Sequence, residues 1–173
     1  LEVNNLKKYF PTGKGTVQAV DDVTFSLDRG RTLGVVGESG CGKTTTGRAI
    51  LRLVEPTQGE VLFEGRNIVE LKPEEMKALR KDMQIIFQDP FSSLDPRKTS
   101  RSILLEAYKI HRLGSSAEQA EQIKELCAAT GITLDLLNNY PHEPAGGKRP
   151  TGAIAPALSL PPQVIVCYDP APS

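Results

Sequence analysis

Tryptophan is absent from the 173-residue chain, and other aromatics are few, four Tyr and five Phe. A core without many large rings has to be built from Leu, Ile, Val and Ala. An excess of charge of either sign is also missing, since 21 Lys plus Arg stand against 21 Asp plus Glu. That balance argues against a dedicated nucleic-acid binder, which carries surplus positive charge to neutralise phosphates. No apolar run approaches the ~20 residues that span a bilayer, so a membrane role calls for a partner that crosses it. The three cysteines, Cys41, Cys127 and Cys167, are odd in number and far apart, with no CxxC and no Cys/His cluster. They imply neither a disulfide frame nor a zinc site, and read as thiols in a reducing compartment. Residues 1–10 lack the basic-then-apolar order of a signal peptide, and no Met opens the chain, so the numbering is expected to start inside a longer protein. No internal repeat or low-complexity tract is present. What remains is the composition of an ordinary folded domain, 39% hydrophobic and 24% charged, rather than of a disordered tail.

Strand and helix signals alternate along the chain. Leu1, Val3 and Leu6 predict a strand that gives way to a loop at Pro11, Gly13 and Gly15. Residues 17–27 alternate apolar and polar at Val23, Phe25 and Leu27, the period of a half-buried strand. Residues 32–36 carry Leu33, Val35 and Val36 and predict a short strand running into glycines 37, 40 and 42. A helix is expected over 43–54, stopped by Pro56. Further strands are expected at 60–63 and, as a parallel strand buried on both faces, at 83–87. Pro73 with Glu74 and Glu75 opens a helix to about Lys81, since proline suits a first turn and acids suit the positive helix end. Helices at 99–113 and 116–130 are divided by Gly114, and the second sets Ala120, Ile123, Leu126 and Cys127 on one face. Residues 164–167 predict a buried strand. The order describes an α/β fold with a helical insertion over 99–140.

The segment Gly37-Glu-Ser-Gly-Cys-Gly-Lys43-Thr44 fits G-x-x-x-x-G-K-[ST] in a strand–loop–helix context. Glycines let the backbone turn and approach phosphate oxygens closely, and the following helix aims its positive end at the same charge. Lys43 is expected on the β- and γ-phosphates and the Thr44 hydroxyl in the shell of Mg²⁺. Cys41 inside the loop reads as a passive loop residue, with a redox role as the alternative, because a helix N-terminus lowers a thiol pKa and a bound phosphate raises it again.

Over residues 1–142 the chain resembles the ATP-binding subunits of ABC importers, the oligopeptide/dipeptide (and nickel) permease branch. The resemblance is carried by Leu6-Lys-Lys-Tyr-Phe-Pro11, Ala19-Val-Asp-Asp-Val-Thr-Phe25, Val36-Gly-Glu-Ser-Gly-Cys-Gly-Lys-Thr44, Ile85-Ile-Phe-Gln-Asp-Pro90 and Tyr140-Pro-His-Glu143. It implies a P-loop NTPase fold, an ABC-type nucleotide-binding domain with an antiparallel β subdomain and a helical subdomain, incomplete at the C-terminus. The implied divisions are a nucleotide-binding core with the β subdomain over 1–98, a helical subdomain over 99–145, and a signature-following segment with the return strand over 146–173. The cofactors implied are ATP and Mg²⁺. Nucleotide would be held by Phe10, Gly37, Ser39, Gly40, Cys41, Gly42, Lys43, Thr44 and Thr45, with Phe10 stacking on adenine and Tyr9 as the neighbouring alternative. Gln88 matches the glutamine that touches Mg²⁺ and orients the attacking water, joining Thr44 as a metal contact. Implied partners are transmembrane permease subunits and a second ATP-binding subunit, in a homo- or heterodimer, with no nucleic acid and no direct membrane span. The implied location is cytoplasmic, peripheral on the inner face of the cell membrane.

The last thirty or so residues depart from the family pattern. Where a Ser-Gly-Gly-Gln signature contacts the nucleotide of the other subunit, this chain has Ala145, Gly146, Gly147 and Lys148, and the helix that should follow is interrupted by Pro150 and Pro156. The strand that ends in Asp-Glu-Pro in the family ends here in Tyr168-Asp169-Pro170. Asp169 falls at the water-polarising glutamate with one methylene less reach, and a one-residue slip makes it the Mg²⁺ partner instead. Three readings follow: an ATPase subunit seen as an incomplete or imperfectly read chain, a nucleotide-binding module without turnover, and a P-loop kinase or GTPase-like switch. The helical insertion, the Phe-Gln-Asp-Pro loop and the lack of an Asn-Lys-x-Asp motif speak against the third.

Overall fold

The structure is a computed structural model that describes residues 1–87, 93–141, 143 and 160–168. The chain divides into two compact units, Leu1–Lys77 and Ala78–Ser173.

In the first unit, strands β1 (Glu2–Thr12), β2 (Gly15–Ser26), β3 (Gln58–Phe63) and β4 (Arg66–Asn67) form one antiparallel sheet in the order β2-β1-β3-β4. This is the antiparallel β subdomain that the family resemblance implies. Val3 and Leu6 are both fully buried although three residues apart, a spacing that strict alternation would place on opposite faces. A bulge resolves the conflict: the β1–β2 register shifts between them, and Asn5 has φ 49°. Asparagine tolerates the left-handed region, and its side chain donates to Asp22 at 2.9 Å. Gly59 of β3 passes this bulge so closely that a Cβ there would lie 2.5 Å from the Asn5 carbonyl oxygen.

Helix α1 (Lys43–Ile50) is shorter than the predicted 43–54. Leu51 caps it, Arg52 adopts φ 49°, and the Arg52 guanidinium donates to the carbonyls of Ile68 and Leu71 at 3.2 and 2.6 Å. The chain therefore turns before Pro56 can stop it. Helix α2 (Pro73–Leu79) ends two residues before the expected Lys81. Residues 32–36 do not form the predicted strand. They run without a ladder, and Leu33, Val35 and Val36 are exposed, Val36 by 92%. A strand needs a hydrogen-bonded neighbour, and none of the described residues supplies one.

The second unit holds strands β5 (Met83–Ile86) and β6 (Val164–Cys167), paired in parallel from Met83↔Val164 to Ile86↔Cys167. The parallel character of β5 and the bounds of β6 follow expectation, and β5 ends one residue before the expected 87, but the predicted burial does not hold. Ile165 and Cys167 are exposed, and of β5 only Met83 is fully buried. Parallel strands become buried when further strands and helices cover them, and this ladder has two strands among the described residues. Helices α3 (Ser100–His111) and α4 (Ser116–Thr130) account for the helical insertion. Leu104, Tyr108, Ile123, Cys127, Ile132, Leu137 and Leu160 form its core, with Leu126 packed at the margin. Ala120 is exposed rather than on the buried face, because the α4 stripe turned to the core is narrow, Ile123 and Cys127 alone being buried.

Candidate nucleotide-binding site

The glycine-rich loop and the start of α1 make a cradle around one ammonium group. Lys43 Nζ donates to the carbonyl oxygens of Gly37 at 2.7 Å and Glu38 at 2.6 Å and lies 3.6 Å from Cys41 Sγ. The loop thus wraps the cation with its own carbonyls. A triphosphate is a stronger partner for that charge, since its oxygens carry full negative charge where the carbonyls carry only a dipole. Gly37, Ser39, Gly40, Cys41 and Thr44 are exposed, Gly42, Lys43 and Thr45 half-buried. The face of the loop is open.

Glycine at position 42 is a requirement of packing as well as of conformation. Its φ is 97°, and a Cβ there would lie 2.1 Å from the Ala19 carbonyl oxygen of β2. This close approach fixes the start of α1 against the β1–β2 hairpin. Gly42 also stands at the N-cap of α1 and offers no side chain to the first-turn N–H groups, and no acid occupies that turn. No side-chain cap and no acid therefore stand between the positive helix end and an anion. Thr46, one turn on, is internally engaged, its hydroxyl donating to the Gly42 carbonyl at 3.0 Å.

On the hairpin, Tyr9 and Phe10 diverge. The Tyr9 hydroxyl donates to Asp21, and this hydrogen bond to a carboxylate pushes the phenol above its ordinary value. Lys7 stands 3.6 Å from the same carboxylate. Phe10 is 37% exposed, and the Lys8 ammonium lies 4.8 Å from its ring centroid. Of the two aromatic candidates, Phe10 is the one without a polar anchor. Sequence reasoning missed Lys8 and the Ala19 carbonyl. The Ala19 carbonyl carries no local signal, whereas Lys8 stands two residues before Phe10 in β1, the spacing that shares a strand face.

The remaining expected site residues, Gln88, Asp169, Ala145, Gly146, Gly147 and Lys148, lie outside the described residues, as do His142, Pro150 and Pro156. In the second unit, Phe87 and Tyr168, the immediate neighbours of Gln88 and Asp169, face each other with ring centroids 6.4 Å apart at 31°. Among the described residues no group of three or more His, Cys, Asp or Glu could hold a metal ion, and no helix is long and apolar enough to cross a membrane. The three cysteines are unpaired, Cys127 buried and Cys41 and Cys167 exposed.

A lysine cradled by a glycine loop at the uncapped head of a helix, beside an antiparallel hairpin, defines a P-loop nucleotide-binding protein. Comparison with known proteins narrows the class. The profile of the ABC transporter family matches residues 20–171, and the chain belongs to that family. It is 47% identical over 178 residues to the oligopeptide transport ATP-binding protein AppF of Bacillus subtilis (strain 168), covering 98% of this chain and 54% of AppF. It is 46% identical to OppF of the same organism, an oligopeptide transport ATP-binding protein, with 98% and 56% covered. The chain spans about half the length of these curated relatives. Its fold matches the dimeric structure of MJ0796, a bacterial ABC transporter cassette, with a TM-score of 0.85 at 26% identity over 98% of this chain and 73% of that one. A post-hydrolysis state of the same cassette bound to ADP and Pi matches at 0.84.

Proposed function

We propose that this chain is the ATP-binding part of a peptide importer, with nickel as the alternative cargo, powering uptake by ATP binding, closure of a cassette pair and hydrolysis. It would work at the inner face of the cell membrane beside permease subunits, with the loop 88–98 and the helices of 99–130 as the region that docks onto them. The carrying observation is Lys43, held at the centre of an open loop whose helix start carries no side-chain cap and no acid. Kinship with oligopeptide transport subunits supports the cargo class.

On this reading Lys43 exchanges the carbonyls of Gly37 and Glu38 for phosphate oxygens, and the loop N–H groups hold the rest of the triphosphate. Phe10 stacks on adenine, Gln88 orients water, and Asp169 accepts its proton. Residues 145–148 face the nucleotide of the second subunit. The site suits Mg²⁺, which takes few protein oxygens and keeps phosphate and water as its other ligands. The Thr44 hydroxyl, in the first turn of α1, would hold it together with Gln88. When bound, Mg²⁺ neutralises charge on the β- and γ-oxygens.

A second reading, nucleotide binding without turnover, is favoured by Tyr168. Its ring rests near Phe87 at the end of β6, where the family pattern places a carboxylate, and a tyrosine side chain does not supply the paired oxygens of a carboxylate to Mg²⁺. Calorimetry of Mg·ATP on the protein and on Lys43→Ala, followed by phosphate release with permease partners present, tests both. Absence of Mg·ATP binding overturns the proposal. Robust hydrolysis that Lys43→Ala abolishes removes the second reading.

A further inference from the structure

The Phe10 ring has two faces, and one carries a cation. Lys8 Nζ sits 4.8 Å from the ring centroid, inside the ~6 Å within which an ammonium is attracted by the negative face of an aromatic ring. Lys8 is half-buried while Phe10 is exposed, so the ammonium is drawn along the strand onto the ring. The hairpin carrying both residues is tied to the phosphate loop through the approach of Ala19 to Gly42. Tyr9, between them in sequence, is engaged by Asp21 and takes no part.

We propose that Lys8 is a positioning residue for the purine base: it covers one face of Phe10, restrains the ring, and reserves the opposite face for stacking. The inference rests on the reading that Phe10 stacks the base. Two physical effects act together. A ring restrained by a cation loses less side-chain freedom when a base arrives. A cation on one face also draws π density toward itself, leaving the opposite face better matched to an electron-rich purine. The alternative use of Lys8, a direct charge contact to the triphosphate, predicts a different dependence on ligand.

Calorimetric titration of the protein with ATP and with inorganic tripolyphosphate separates these. Four variants are needed: Lys8→Met, Lys8→Arg, Phe10→Ala and the Lys8→Met/Phe10→Ala double. The expected result is ATP binding weakened about 2- to 5-fold in Lys8→Met, the size of an exposed cation–π contact. Tripolyphosphate affinity should be unchanged, which also reports an intact loop, and Lys8→Arg should restore ATP binding. In the Phe10→Ala background, Lys8→Met should have no further effect, because the pair acts through the ring. Equal weakening of both ligands, or the same loss with Phe10 removed, overturns the proposal in favour of a phosphate contact. An unchanged ATP affinity in Lys8→Met overturns it outright. If Phe10→Ala fails to weaken ATP relative to tripolyphosphate, base stacking itself falls, an outcome distinct from the others.

Discussion

Three helices of this protein begin in two different ways. In the helical unit, α3 is capped by Thr99, whose hydroxyl accepts from the Ser102 N–H at 3.3 Å. Helix α4 starts with a full capping box, in which the Glu118 carboxylate accepts from the Ser115 N–H at 2.6 Å and the Ser115 hydroxyl from the Glu118 N–H at 3.4 Å. Helix α1 has neither device. Its N-cap is Gly42, no side chain caps it, and no acid sits in its first turn. Each of the first two helices satisfies one of its first-turn donors with its own cap side chain and gains stability. The third places no side-chain acceptor at its start, which suits a helix whose positive end receives phosphate. One region is built to be stable by itself, the other to be completed by a ligand.

That contrast can be broken from either side. The largest effect is expected from Leu104→Ala, which empties a site only 2% exposed in the helical core. It should destabilise that unit by about 2–5 kcal/mol, read by urea unfolding and by faster amide exchange in α3 and α4. Lys43→Ala should do the reverse, weakening Mg·ATP binding about 10- to 100-fold, the size of a lost hydrogen bond to a charged group, while changing the thermal midpoint without ligand little. A loss of fold in Lys43→Ala, seen by circular dichroism, would show the lysine to be a structural member of the loop. Ser115→Ala should cost about 1 kcal/mol of stability and leave nucleotide affinity untouched; a change in affinity would dissolve the distinction between the two kinds of helix start.

The smallest effect is one of pH. The Ser115 backbone N–H holds the Glu118 carboxyl below its ordinary 4.5. A carboxyl lowered in the folded state adds stability that is fully present above the unfolded value and lost as pH falls through the folded one. Protection of amides in α4, corrected for their intrinsic exchange rates, should therefore fall below about pH 4.5, and Glu118→Gln should remove the dependence. Helix α1, without an acid in its first turn, should show no matching step.

Legibility in the sequence followed the range of the interactions involved. The loop 37–45 was readable because its glycines and lysine act within nine residues. Helix α4, divided from α3 by Gly114, and strand β6, an apolar run of four residues, kept their expected bounds. Residues 32–36 misled, since their apolar pattern states that the segment can be a strand and says nothing of whether a neighbour is present. The burial of β5 and β6 was overstated for the same reason. Helix α1 ended early through Arg52, whose carbonyl partners Ile68 and Leu71 lie 16 and 19 residues away, beyond any local rule.

By itself the sequence determined the positions of the phosphate-loop glycines, the placement of Lys43 at a helix start, and the alternation of strands and helices. Backbone freedom at glycine and hydrophobic period are properties of neighbouring residues. Only the tertiary structure decided that Gly42 meets the Ala19 carbonyl, that Tyr9 turns to Asp21 while Phe10 pairs with Lys8, and that the Asn5 bulge brings Val3 and Leu6 into one core. Each of these depends on a bend or a partner that strand pairing supplies, and pairing is settled by the fold as a whole.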